Sequence, residues 1–377
     1  MATPLVPPMA LASVYTFADV DGLDRAYGAT PPDFTYCRDG HPNARFLSDA
    51  LTKWHGGAWG QVFPSGMAAI GAVLLPLVKA GSRVIASDQL YGKTTHLLVG
   101  ELSRFGVTTT RVDTNHLPAV KAALAAAPEP AVLLVETVSN PLCRVADVPA
   151  LADLVHATGA KLVVDNTFAS PVLCKPLAFG ADVVMESLTK IIGGHGDTML
   201  GFLSGSDPDL GARVTATAST WGYHAAPFDC WLTARGLDTL DLRVKAAAAN
   251  SVRAADWLVG KPGVLQVVFP TRPDHPDHAL ARRILPAGPG HVFAVELAGG
   301  RDGVNRFLRA AGADLPFAPS LGHANSTISY PDAASHRNMP VAEKLAMGIT
   351  PGLIRISIGS EPFEQLAAAL GKGLNGI

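Results

Sequence analysis

From residue 61 onward, short β-branched runs alternate with longer helical stretches. The runs are QVF, SRVIASD, VTTTRV, AVLLVET, KLVVDNT, ADVVMES and GFLSG. Several carry apolar side chains at successive positions, so both strand faces need cover, as in a parallel sheet layered between helices. This rhythm predicts an open α/β structure. Helix punctuation agrees with it. In DVPALADLVHATGA, Asp147 is placed to cap a helix, Pro149 falls in its first turn and Gly159 ends it.

After about residue 235 the rhythm changes. LDTLDLRVKAAAANSVRAADWLVG reads as a long helix, and HVFAVELAG, LPFAPSL and LIRISIG read as separated strands with helices between. That pattern predicts a smaller α+β domain. Residues 1–45 hold Pro4, Pro7, Pro8, Pro31, Pro32 and Pro42, and are expected to wrap over another surface rather than form a core. The expected division is an N-terminal arm over 1–45, a large domain over 46–235 and a small domain over 236–377.

A chain of 377 residues can bury two cores. With 30 basic and 32 acidic residues, its net charge of −2 gives no electrostatic basis for a nucleic-acid or anionic-membrane partner. No uncharged apolar run approaches the roughly 20 residues that span a bilayer, and MATPLVPPMALASVY lacks the basic start and apolar run of a signal peptide. Cys37, Cys143, Cys174 and Cys230 are widely spaced without a CxxC, which argues against a disulfide framework and a zinc site. A reducing, cytoplasmic setting is expected.

In open α/β sheets, ligands sit beyond the carboxyl ends of the strands. There the sequence places Ser65, Gly66 and Met67 after QVF, Glu136 at the end of AVLLVE and Asp165 at the end of KLVVD; Ser187, Thr189 and Lys190 follow ADVVME. Asp165 and Lys190 are 25 positions apart, about one crossover. If their strands are parallel neighbours, a carboxylate and an ammonium converge on one crevice. PSGMAAI offers free N–H groups at a helix start, which suit a phosphate, and Ser187 and Thr189 add hydroxyls. Taken singly, each feature has a plain explanation: a solvated lysine, a capping aspartate, a common βα turn. Together they describe pyridoxal phosphate chemistry. A lysine forms a Schiff base with the aldehyde, and an aspartate keeps the pyridine nitrogen protonated. His195 and Asp197 in GGHGD are expected to hold the lysine loop, not a metal.

VVDNTFASPVLCKPLAFGADVVMESLTKIIGGHGDTMLG resembles the Cys/Met-metabolism family of pyridoxal-phosphate enzymes, the trans-sulfuration group of cystathionine γ-synthases and γ-lyases, methionine γ-lyases and O-acylhomoserine sulfhydrylases. So do YCRDGHPNARFLSDAL, FPSGMAAIGAVL, YGKTTHLL, ETVSNPLCRVADV, APFDCWLTARGLDTLDLR and SLGHANS with GITPGLIRISIGSE, in family order from about residue 7 to 375. The resemblance implies the fold type I, aspartate-aminotransferase-like, α/β architecture: a mostly parallel seven-stranded sheet with a smaller α+β C-terminal domain. It implies bound pyridoxal 5'-phosphate and a small amino-acid substrate. Lys190 resembles the Schiff-base lysine and proton shuttle, Asp165 the pyridinium partner and Tyr91 the ring-stacking tyrosine. Gly66, Met67, Ser187 and Thr189 resemble phosphate contacts. Tyr36 and Arg38 resemble a pair reaching the phosphate from a neighbouring subunit, which implies a homodimer with shared sites and, by family habit, a homotetramer. Asn140, Ser326 and Arg355 resemble groups that hold the substrate carboxylate or the cofactor's phenolic side.

The chain departs from the family at His41-Pro42-Asn43, Glu186, Lys93, His96 and Asn325. The last two stand where cystathionine enzymes often carry charged residues, so a smaller γ- or β-substituent than that of cystathionine is expected. The expected activity is γ- or β-elimination or replacement on a sulfur-containing or O-acylated amino acid. The rivals are a sulfhydrylase, a γ-replacement enzyme of specialised metabolism, and a cofactor-binding homologue without turnover.

Overall fold

The computed structural model describes residues 4–29, 33–127 and 129–377; Pro31 and Pro32 lie outside the described residues. The large sheet holds β1 (Trp59–Phe63), β2 (Arg83–Ser87), β3 (Thr108–Val112), β4 (Pro130–Glu136), β5 (Lys161–Asp165), β6 (Val183–Ser187) and β7 (Gly201–Gly205). Each falls on one of the seven runs picked from the sequence. Their order in space is β1-β7-β6-β5-β4-β2-β3. Strands β3, β2, β4, β5 and β6 pair in parallel, and β7 runs antiparallel to both β6 and β1.

Successive side chains of a strand point to opposite faces. Val132 and Leu134 of β4 join one core with Val84, Ala86 and Val163, while Leu133 and Val135 join the other with Ile85, Leu162 and Val164. Both faces are covered, which is why the strand reads as an unbroken apolar run. The capping pattern also holds. The Val148–His156 helix is capped by the Asp147 carboxylate, which accepts from Ala150 N, and Gly159 turns the chain at φ 76°.

From β2 the chain runs outward to β3, then returns to lay β4 on the other side of β2. Where strand order reverses in this way, a crevice opens at the carboxyl ends. Tyr91 follows β2, Glu136 ends β4, Asp165 ends β5 and Ser187 ends β6.

The second sheet is antiparallel, with β8 (Val264–Val268), β9 (Val292–Leu297), β10 (Thr327–Ser329) and β11 (Leu353–Ser357) in the order β10-β11-β9-β8. It packs on the helices Leu240–Leu258, Gly300–Ala311 and Phe363–Leu374. One expectation fails here. LPFAPSL is not a strand: it makes a single bridge, Phe317 to Ile328. Pro316 and Pro319 have no N–H to give a ladder, and Phe317 is largely exposed.

The expected boundaries at 45/46 and 235/236 fall inside the helices Pro42–His55 and Pro227–Leu237, which pack on each other. The start of the proline-rich segment lies on its own chain. Pro7 O accepts from Trp231 Nε1 at 3.0 Å, and the Asn43 amide takes Ala10 N at 2.9 Å and gives to Pro8 O at 3.0 Å. Among the described residues no helix is long and apolar enough to cross a membrane.

Candidate active site

The crevice is a cleft of about 400 Å³, lined among others by Gly66, Met67, Tyr91, Glu136, Asn140, Asp165, Thr167, Ser187, Thr189, Lys190, Ser320 and Arg355. Nine of the twelve residues singled out from the sequence meet here: Gly66, Met67, Tyr91, Asn140, Asp165, Ser187, Thr189, Lys190 and Arg355. Three do not. Ser326 is buried elsewhere, its hydroxyl accepting from Gly359 N and its amide donating to Glu361, so it serves to fold its own loop. Tyr36 and Arg38 sit together on the exposed N-terminal segment, the guanidinium 5.1 Å from the ring centroid, away from the cleft of their own chain.

At the floor, the Ser65 hydroxyl accepts from Ala68 N and its carbonyl from Ala69 N, capping the Gly66–Leu74 helix. The amides of Gly66 and Met67 have no partner among the described residues. A helix start with open amides is an anion site. Space at 66 is tight: a Cβ there would lie 3.1 Å from Ser187 Cβ, closer than ordinary contact. Ser187 therefore stands directly beside the open amides. The Thr189 hydroxyl is engaged with the backbone of Leu200 in both directions, at 3.3 Å and 3.2 Å.

Asp165 is braced by Thr167, whose amide and hydroxyl both donate to Oδ1. That hydroxyl in turn accepts from Ser187 N at 2.9 Å, tying the ends of β5 and β6 together. Burial raises the Asp165 pKa, against the two Thr167 bonds and the Lys190 cation. Lys190 Nζ donates to Ser320 Oγ at 3.2 Å. Burial, aided by the Arg355 charge and opposed by Asp165, lowers the Lys190 pKa. Arg355 Nη1 donates to Asn140 Oδ1 at 2.9 Å and Nη2 to Ser320 O at 2.8 Å, while Nε is buried without a partner. Burial pulls the pKa of this guanidinium down to about 10.

Two residues given no role in the sequence reading, though they lie in blocks quoted there, hold the lysine turn. Arg243, on the Leu240–Leu258 helix, donates to the carbonyls of Ile191, Ile192 and Gly236. Gly322 presses on the same turn at φ +78°, where a Cβ would lie 2.4 Å from Ile191 N. The turn is further closed by Gly194 N on Lys190 O at 2.8 Å, with His195 Nδ1 bonded to Gly193 O at 2.7 Å.

The departures from the family fall outside the cleft. His41 caps the Pro42–His55 helix: Nδ1 accepts from Ala44 N, so Nε2 carries the proton donated to Ala225 O at 2.9 Å. Glu186 points to the back of β6, where it accepts from Asn166 Nδ2 at 2.9 Å and lies 3.4 Å from His55 Nε2. Burial raises the Glu186 carboxyl well above its usual range and lowers His55 to about 3, disfavouring the charged form of each. Lys93, His96 and Asn325 are exposed and do not line the cleft.

The family model described as Cys/Met metabolism PLP-dependent enzyme matches residues 2–375. This chain belongs to that family. It is 32% identical to an L-methionine gamma-lyase of Porphyromonas gingivalis, over 99% of this chain and 93% of that protein. It is 36% identical to a cystathionine gamma-lyase of Bacillus subtilis, over 91% of this chain and 89% of that protein. A crystal structure of cystathionine gamma synthase from Xanthomonas oryzae pv. oryzae superposes with TM-score 0.92 at 35% identity, covering 98% of this chain and 93% of that one. The cofactor of this Cys/Met-metabolism enzyme is pyridoxal phosphate, and the cleft fits it. The open amides of Gly66 and Met67 with Ser187 would hold the phosphate, the half-buried Asp165 carboxylate the pyridine nitrogen, and Lys190 the aldehyde carbon.

Proposed function

We propose that this chain catalyses elimination or replacement at the γ- or β-carbon of a sulfur-containing or O-acylated amino acid. One observation carries the reading. Arg355 is 4% exposed, faces the cleft beside Lys190, and has no acidic partner among the described residues. So buried a cation calls for an anion, and its planar fork matches a carboxylate. The α-carboxylate of an amino acid supplies one.

Held by Arg355, the substrate presents its amine and Cα toward Lys190. Bound pyridoxal phosphate supplies an electron sink for charge developing at that carbon. Lys190, with its pKa lowered by burial, gives a neutral amine more readily than a surface lysine and takes the Cα proton. Lys190 or the Tyr91 hydroxyl returns a proton to the departing group. Asp165, braced by Thr167, would hold the protonated pyridine nitrogen by charge.

Apart from Lys190, Asp165, Arg355 and the Glu136 carboxyl between Tyr91 and Asn140, the wall, including Met199, Pro319, Leu321, Ala334 and Ser335, carries no ionisable side chain other than the Tyr91 phenol. It favours a neutral leaving group, such as a methylthio or acyloxy group, over the zwitterionic half of cystathionine. Tyr36 and Arg38 complete the phosphate site of a second copy, making a homodimer with shared clefts the working unit.

The test is to load the purified protein with pyridoxal phosphate and follow its visible absorption. L-methionine, L-cystathionine, L-cysteine and O-acetyl-L-homoserine are then added in turn, with and without a thiol, while 2-oxo acid and thioether products are measured. Turnover of one substrate, abolished in Lys190→Ala, supports the reading. Bound cofactor with no product from any of the four would overturn it in favour of a homologue without turnover.

A further inference from the structure

Glu136 ends β4 at the point where strand order reverses, with its carboxyl inside the cleft. Its two oxygens are divided between two loops. Oε1 accepts from Tyr91 N at 2.6 Å, just past β2, and Oε2 accepts from Asn140 N at 3.3 Å, just past β4. A short hydrogen-bond chain leads on from there. Asn140 Oδ1 holds Arg355, Arg355 holds the Ser320 carbonyl, and the Ser320 hydroxyl receives Lys190 Nζ. Tyr91, Arg355 and Lys190 approach the cleft from different elements, and Glu136 ties the segment past β2 to the one past β4 from inside the cleft, beside a second bridge from Ser139 Oγ to Gln89 Oε1 at 3.1 Å.

We propose that Glu136 is a positioning residue, a two-oxygen latch that fixes Tyr91 directly and Arg355 through Asn140. The inference rests on the reading of the cleft as an amino-acid site. It requires two acceptors on one side chain, because both partners are backbone N–H donors. Burial and the nearby Asp165 charge raise the Glu136 pKa well above the usual carboxylate range. In either protonation state both oxygens keep a lone pair for these donors, so the latch does not depend on the charge.

Glu136→Gln keeps the size but offers one oxygen and one amide. The shorter bond, to Tyr91 N, retains the oxygen. The new NH₂ then faces Asn140 N, donor against donor. The loop carrying Asn140 shifts, and the Arg355 fork loses its register for a carboxylate.

The experiment uses pyridoxal phosphate and glycine as probes on the full chain. Glycine has no side chain to eliminate, so its affinity, read from the change in visible absorption, reports carboxylate capture without turnover. Glu136→Gln is expected to bind pyridoxal phosphate within threefold of wild type while glycine affinity falls at least tenfold. Asn140→Ala is expected to fall similarly. The double variant should be within threefold of the weaker single one, because Glu136 acts through Asn140. Glu136→Asp, which keeps two acceptors at shorter reach, should lie between wild type and glutamine; it also serves if the glutamine protein does not fold. Glycine affinity within threefold of wild type in Glu136→Gln, or multiplicative losses in the double variant, would overturn the latch. If cofactor-loaded wild type binds neither glycine nor any of the four substrates above, the amino-acid reading itself fails and takes the latch with it.

Discussion

Arg243 offers the sharpest quantitative test of how the lysine turn is held. Its guanidinium is buried and, among the described residues, forms no ion pair with a carboxylate. It gives Nη1 to Ile191 O, Nη2 to Ile192 O at 3.0 Å and to Gly236 O at 2.7 Å, and Nε to the Thr239 hydroxyl at 3.1 Å. Replacing a buried ion pair by apolar groups of equal size is often neutral, because both charges leave together. Here the acceptors are main-chain carbonyls, which remain after the substitution. Arg243→Met leaves two of them, Ile191 O and Ile192 O, without a donor among the described residues, while Gly236 O keeps Thr239 N and the Thr239 hydroxyl, each at 3.3 Å. At roughly 1–2 kcal/mol for each orphaned acceptor, the loss is about 2–3 kcal/mol, after allowing for the relief of a buried cation. Arg243→Lys keeps the charge but gathers its donors at one point, so about half the loss is expected. Urea unfolding followed by tryptophan fluorescence measures the stability, and the affinity for pyridoxal phosphate measures the placing of Lys190. A methionine variant within 1 kcal/mol of wild type, with unchanged cofactor affinity, would refute the clamp.

Three further expectations concern other parts of the molecule. Gly322→Ala should drive the loop off the lysine turn, since the added Cβ would meet Ile191 N at 2.4 Å in a left-handed conformation. A shift of ~1 Å at Lys190 should lower kcat on the order of a hundredfold, and a kcat within threefold of wild type would contradict it. His291 is fully buried, with both ring nitrogens unpartnered and its pKa pushed down to about 4 by burial. Below about pH 6.5 the unfolded chain takes up a proton that the folded one refuses, so stability is lost as pH falls toward 4. Relative to His291→Leu, wild type should weaken by about 1.4 kcal/mol per pH unit across that window, up to about 3 kcal/mol; parallel curves for the two proteins from pH 7 to 4 would exclude it. Finally, if Arg38 serves the partner's cleft, mixing the separately inactive Arg38→Ala and Lys190→Ala proteins should restore roughly a quarter of wild-type activity by random pairing of a two-fold dimer. A mixture no more active than its parts would place Arg38 outside the shared site.

The parts of the cleft legible in the sequence are those fixed by local rules. Asp165, Ser187 and Gly66 each lie at or within three residues of a strand end. Once the runs are recognised as parallel strands, their ends must share a rim, so the carboxylate, hydroxyl and helix start converge without knowledge of any long-range contact. Lys190 is carried there by the short turn after β6. Thr167 was within reach of the same logic, since a threonine two residues after a strand-end aspartate is placed to donate back to it. Glu136 was seen at a strand end, yet its task depends on which loops face it, and that follows from the reversal of strand order between β2 and β4, which no local pattern records.

What stayed illegible comes from the second sheet. The loop holding Ser320 reads as β-forming in its apolar residues, but its prolines withhold ladder donors and Gly322 fits it closely over the lysine turn. It thereby delivers Ser320, not Ser326, to Lys190. The two serines are six positions apart in the same segment, and nothing in their immediate neighbours separates them. The distinction is made by distant partners: Gly359 N and the Glu361 carboxylate take Ser326 into the small domain's own framework, while Arg355 draws the Ser320 carbonyl into the cleft. The β strands of the large domain therefore determine where the chemistry sits, and the return of the small domain across them determines which side chains face it.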